Sequence, residues 1–277
     1  MSGPQIVLLG AVAGLTVFLG LPVGRLQSPA PRLRTALNAV AIGILLFLLW
    51  DVLTAAWEPT DAALGDHHWA GAATGGLVLA SGLAVGLMGL VHYDRWIARR
   101  QASRVSLSQG PGASAVTERL APRARSRAAG LALMIAIGIG LHNLAEGLAI
   151  GNSAANGELS LAILLIIGFG LHNASEGFGI VAPLAAAGER PSWGSLALLG
   201  LIGGGPTFVG TLIGRQVVND TVSIAFLGLA AGSILYVIIE LLAVARRGGM
   251  KVLTTWMILL GLLLGFATDA VVTAAGV

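Results

Sequence analysis

Two ten-residue stretches of this sequence follow one pattern: Gly138–Gly147 reads GIGLHNLAEG, and Gly168–Gly177 reads GFGLHNASEG. Both fit G-x-G-L-H-N-x-x-E-G, and they begin 30 residues apart (168 − 138). Each lies in an apolar block of roughly 20 residues, the length of helix that crosses the hydrocarbon core of a bilayer. The repeat therefore predicts two neighbouring membrane-spanning helices that are joined by a short turn and run in opposite directions.

The composition of the whole chain indicates an integral membrane protein. Of its 277 residues, 56% are apolar and only 10% are charged, and the mean hydropathy is +0.86. Soluble domains carry about 25% charged residues, so this chain lacks the polar surface that a soluble fold needs. It contains no cysteine, which excludes disulfides, thiolate metal sites and cysteine nucleophiles.

Apolar periodicity predicts an all-α protein of eight transmembrane helices in a single domain, residues 1–277. The predicted spans are Gln5–Gly24, Ala36–Ala56, Trp69–Val91, Ala128–Gly151, Leu159–Ala182, Trp193–Gly214, Thr221–Ala245 and Val252–Ala274.

The basic residues predict the orientation of these spans. Of 16 lysines and arginines, 15 fall in alternate connections, eight of them in one segment at 93–127. The positive-inside rule makes these connections cytoplasmic and places both termini outside. The segment at 93–127 is then a long cytoplasmic loop between spans 3 and 4. The same pattern explains the high isoelectric point without a nucleic-acid partner.

The spacing within each repeat predicts a metal site. Residues four apart lie on one face of a helix, so each copy presents an imidazole and a carboxylate together. Antiparallel packing of the two helices brings both pairs to one depth, which gives two nitrogen and two oxygen ligands. This mixture suits zinc and other first-row divalent ions better than calcium or magnesium. The predicted ligands are His142, Glu146, His172 and Glu176, and Asn143 and Asn173 lie beside them as helpers.

An ionised carboxylate near the bilayer centre costs at least several kcal/mol unless it is paired or hydrated. Two His and two Glu at matching depth therefore indicate a functional site. The alternative is a structural cluster that shares protons between the helices, but packing alone does not explain repetition at identical spacing.

At these residues the sequence resembles the ZIP (Zrt-/Irt-like) family of divalent metal transporters. The H-N-x-x-E-G run in span 4 matches the family signature, and the run in span 5 matches its partner. The resemblance implies that spans 4 and 5 line the transport pathway and that one block of helices slides against another. It also implies a main metal site on His142, Glu146, His172 and Glu176.

The sequence departs from the family pattern at two positions. Many members carry an acid before a proline in span 6, whereas this chain has Gly205 before Pro206. Asn173 stands where some members have an acid. We therefore expect one principal ion rather than two.

Other polar residues are weaker candidates. Asp51, late in span 2, either guides an ion from the outer mouth or caps the helix end. His67 and His68, in an acidic outer loop, form either a cation funnel or an ordinary solvated loop. Glu240 and Asp269 are expected to face the bundle, since lipid-facing charges are expensive.

These observations predict a transporter, not an enzyme, that moves a divalent metal ion into the cytoplasm across the cell (plasma or inner) membrane. Zinc is the first choice of ion, with iron, manganese and cadmium as alternatives. An intramembrane metalloenzyme is the alternative function, but neither H-E-x-x-H nor E-x-x-H occurs. The small-residue spans are compatible with a homodimer.

Overall fold

A computed structural model describes residues 3–25, 31–106, 115–155, 159–214, 216 and 219–274. Over these residues the protein is all-helical, without strands. The helices are α1 (Gly3–Leu15), α2 (Val17–Gly20), α3 (Pro31–Gly65), α4 (Trp69–Ser106), α5 (Ala115–Ala155), α6 (Leu159–Ala186), α7 (Trp193–Gly214), α8 (Asp220–Arg247) and α9 (Lys251–Ala274), with a 3₁₀ turn at Leu21–Arg25 after α2.

Seven spans in the described residues are long and apolar enough to cross a membrane. The α1–α2 segment with its 3₁₀ turn forms one of them, and α3, α4, α5, α7, α8 and α9 contain the others. Helix α6, with 28 residues, corresponds to the predicted fifth span. The membrane-helix class is therefore confirmed, while the count of eight and the outside location of the termini stay predictions.

Two predicted boundaries differ from the structure. Helix α4 continues to Ser106 and α5 begins at Ala115, so much of the predicted loop at 93–127 is helical; residues 107–114 lie outside the described part. The first predicted span is not one continuous helix either. It is interrupted at Thr16, whose backbone N–H and side-chain hydroxyl both donate to the Ala13 carbonyl oxygen.

The helices form two groups. Bundle I consists of α1, α2, α5, α6 and α7, and bundle II consists of α3, α4, α8 and α9. The most extensive packing lies within each group, between α5 and α7 in bundle I and between α4 and α8 in bundle II. The bundles meet where α5 packs on α8 and where α3 packs on α6.

Within each bundle, glycines bring helix backbones into direct contact. A side chain on Gly147 of α5 would collide with the Thr207 carbonyl oxygen of α7. In bundle II, Gly43 of α3 lies against the Ile258 carbonyl of α9, and Gly86 of α4 against the Leu229 carbonyl of α8. Such approaches maximise van der Waals contact in lipid, where the hydrophobic effect does not drive helices together.

The contact between the bundles is different, because side-chain tips occupy it. A Cβ on Gly138 of α5 would lie 2.7 Å from the Val237 methyl, and 3.4 Å from both the Leu90 side chain and the Ser233 carbonyl oxygen. Gly179 of α6 faces the Leu241 methyl at 3.3 Å. The two bundles therefore meet mainly through aliphatic side chains.

The backbone contact between α4 and α8 predicts different effects for two glycines on α4. Gly86→Ala should lower the free energy of unfolding by about 1–3 kcal/mol, because the new Cβ overlaps the Leu229 carbonyl. Gly89→Ala has open space around it and should leave stability unchanged or raise it by up to about 1 kcal/mol. Thermal unfolding in detergent compares the two, and equal midpoints would contradict the α4–α8 packing.

Candidate metal site between two helices

The histidine and glutamate of the first repeat form a buried pair on α5. The His142 Nε2 lies 2.9 Å from the Glu146 Oε1. Both side chains are buried, with His142 1% and Glu146 5% exposed. The predicted spacing of one helical turn thus places an imidazole and a carboxylate together inside bundle I.

The glutamate of the second repeat reaches the same place from α6. The Glu176 Oε1 lies 3.8 Å from the His142 Nε2, and Glu176 is 1% exposed. The structure therefore brings together three of the four predicted main ligands. His172 lies on α6, but its side chain is outside those that the structure describes.

Both asparagines use their amide nitrogens to bind backbone carbonyls. Asn143 Nδ2 donates to the Gly203 carbonyl of α7 at 2.9 Å and lies 3.3 Å from the Glu176 Oε2. Asn173 Nδ2 donates to the Ala13 carbonyl of α1 at 3.1 Å. Their side-chain oxygens are buried without a hydrogen-bond partner among the described groups. The amides thus anchor α5 and α6 to the neighbouring helices and leave two oxygen acceptors in the interior.

The observed distances can be compared with those of a tetrahedral zinc site. Nitrogen and oxygen ligands lie about 2.0–2.2 Å from Zn²⁺, which separates neighbouring ligand atoms by roughly 3.3–3.5 Å. His142 and Glu146 are closer than this, while His142 and Glu176 are further apart. In the described part of the chain, no three His, Asp, Glu or Cys side chains already surround one point as metal ligands. Shifts of a few tenths of an ångström would be needed to receive an ion.

Gly205 of α7, the position where many family members carry an acid, has free space around it. A Cβ on Gly205 would meet nothing within 4 Å, so the structure has space where the glycine leaves a side chain out. Gly205 supplies no ligand atom from a side chain. The local charge therefore comes from Glu146 and Glu176.

Two buried threonines on α7 were missed by the sequence interpretation. Thr207 and Thr211 are fully buried, and the Thr207 hydroxyl has no hydrogen-bond partner among the described groups. Their spacing of four residues on one helix face was an available signal. Hydroxyls are common in membrane helices, however, and the spacing alone does not separate a site from ordinary helix packing.

Asp51 is an exposed residue of α3, in bundle II. His67 and His68 are exposed at the turn between α3 and α4, and His67 Nδ1 contacts the Gly65 carbonyl. Glu240 and Asp269 are half-buried.

The anchoring role of Asn143 can be tested by stability. Asn143→Ala should lower the free energy of unfolding by about 1–3 kcal/mol, because α5 loses its buried side-chain hydrogen bond to α7 and Glu176 loses the amide donor beside it. Thr74→Ala is the control, since it removes an exposed hydrogen bond from the Thr74 hydroxyl to the Ala70 carbonyl within α4. Denaturation in detergent measures both, and equal loss in the two variants would contradict the anchoring role.

The comparison with known families agrees with the repeat. The family model described as ZIP Zinc transporter matches residues 99–273, which include both copies of the motif. A search of curated proteins found no match. The matched region covers more than half of the 277 residues. This multi-pass membrane protein belongs to the ZIP zinc transporter family, whose members transport divalent metals such as zinc.

Proposed function

We propose that this chain carries zinc into the cytoplasm and that the ion binds between α5 and α6. The ligands in this proposal are His142, Glu146, His172 and Glu176. The observation that carries the proposal is the buried contact of His142 with carboxylates from two helices. Polar groups at this depth are expensive and are typical of ion pathways.

The donor set supports zinc or another first-row divalent ion. Imidazole nitrogen and carboxylate oxygen are both zinc ligands, whereas calcium and magnesium prefer oxygen alone. Iron, manganese and cadmium are alternative cargoes, because their ligand preferences overlap with those of zinc. No catalytic role is assigned to the cluster.

In this proposal one ion occupies the site at a time. Gly205 provides no side-chain ligand, and Asn143 and Asn173 offer neutral oxygens in place of charged ones. The two amides serve as helpers that hold α5 and α6 in position and supply weak oxygen donors to the ion.

The packing supports a relative movement of the two bundles. Backbone contacts at Gly147, Gly86 and Gly43 join helices within a bundle, so a displacement there would lose close contact. Aliphatic tips fill the contact between bundles, where side chains can change rotamer at lower cost. We propose that bundle I, which holds the ligands, slides along bundle II to expose the ion first to one side and then to the other.

The proposed setting is the cell membrane, with both termini outside and the connection between α4 and α5 in the cytoplasm. The small residues of the helices are also compatible with a homodimer.

Two substitutions test the site directly. His142→Ala and Glu176→Ala should each abolish zinc uptake into proteoliposomes, because each removes a ligand. His92→Ala and Glu58→Ala are matched controls, since both residues are exposed and lie outside the cluster. If both site variants took up zinc at the rate of the unsubstituted protein, the cluster would not lie on the ion pathway.

A further inference from the structure

One arginine of bundle II holds the end of a helix in bundle I. Arg34 lies in the first turns of α3, and its Nη1 donates to the Ala185 carbonyl of α6 at 3.0 Å. Ala185 is in the last turn of α6, and its carbonyl also accepts a hydrogen bond from the Gly188 N–H at 3.2 Å. A cation at this end also interacts favourably with the helix dipole. The hydrogen bond therefore joins the two bundles at the end of α6.

A second arginine contacts the segment between α6 and α7 from within bundle I. The Arg25 guanidinium donates to the Pro191 carbonyl and lies 4.7 Å from the centroid of the Trp193 ring. Arg25 follows α2, and Trp193 begins α7, so both ends of this contact belong to bundle I. The contact would move with the bundle and stay intact.

The two arginine contacts respond differently to sliding. A shift of α6 along α3 by one helical turn, about 5.4 Å, would carry the Ala185 carbonyl beyond the hydrogen-bonding range of Arg34 unless the side chain followed it. The Arg34 side chain is half-buried. The contact therefore favours one register of the two bundles.

We propose that Arg34 is a latch between the bundles, which stabilises the register seen in the structure and must release Ala185 for the bundles to slide. Its part in transport rests on the proposed function; its effect on register does not. One charge-assisted hydrogen bond at a half-exposed site should shift the equilibrium between two registers about threefold to tenfold.

The test measures register without transport. Because the chain contains no cysteine, Ala197→Cys in bundle I and Lys251→Cys in bundle II give two unique spin-label positions, both exposed. Double electron–electron resonance on the metal-free protein in nanodiscs then gives the distribution of distances between the bundles. Arg34→Leu should raise the population of a second distance about threefold to tenfold, while Arg34→Lys, which keeps a cationic donor, should stay close to the unsubstituted distribution.

Two control variants separate the latch from other effects. Arg32→Leu removes an exposed charge two residues away, and Arg25→Leu loosens the α6–α7 connection from its own bundle. Neither should increase the second distance. An unchanged distribution in Arg34→Leu, or an equal change in Arg32→Leu, would overturn the proposal. If Arg34→Leu does not fold, Arg34→Gln is measured against the same criteria.

Zinc uptake by the unsubstituted protein is measured separately in proteoliposomes. Absent uptake together with a shifted distribution in Arg34→Leu would refute the transport function but leave the latch in place. Normal uptake together with an unshifted distribution would refute the latch and leave the transport function in place.

Discussion

An ionised carboxylate in the middle of a bilayer needs a polar or charged partner, and the interior of bundle I meets this requirement for Glu146 and Glu176. The His142 imidazole lies between the two carboxylates, and the Asn143 amide donates to Glu176. Among the described side chains, eight of the eleven buried polar ones belong to α5, α6 and α7. The three helices thus share one polar interior, although their outer surfaces are apolar.

A polar interior of this kind must be shielded from lipid, and glycines let the surrounding helices pack closely enough to shield it. Pro206 lacks an N–H, so the Ile202 carbonyl of α7 has no helical donor. Gly140 of α5 lies directly against that carbonyl, in a contact that any side chain would prevent. Bundle II uses the same backbone contacts around an interior with few polar groups. It therefore presents a mainly apolar surface to bundle I.

The sequence predicts some parts of this arrangement directly. Helical spacing alone pairs His142 with Glu146, and the repeat on an antiparallel neighbour predicts that Glu176 joins them; the Glu176 Oε1 lies 3.8 Å from the His142 Nε2. The sequence could not predict the hydrogen bond that anchors Asn143, because its partner carbonyl lies 60 residues further along the chain. The interruption at Thr16 was also missed, since Gln5 and Thr16 are the only polar side chains among residues 5–24. It places the Ala13 carbonyl where Asn173 and Thr16 both donate to it.

The division into two bundles was equally hidden. Glycines occur in every predicted span. Only the register of the packed helices distinguishes Gly86, which contacts a backbone, from Gly89, which faces open space. Composition and periodicity contain no information about that register. The resemblance to a family could imply sliding blocks, but it could not say which contacts would join them.

The neutral residues around the two carboxylates have an electrical consequence. Because Asn143, Asn173 and Gly205 add no charge, one divalent ion bound to Glu146 and Glu176 with neutral imidazoles would form an assembly of zero net charge. Membrane voltage does work only on charge that moves through its field. The loaded bundle would then slide through the field without that work, whereas the empty bundle, with both carboxylates ionised, would carry two negative charges through the field as it returns. On this binding mode, the return of the empty protein is the voltage-dependent half of the cycle.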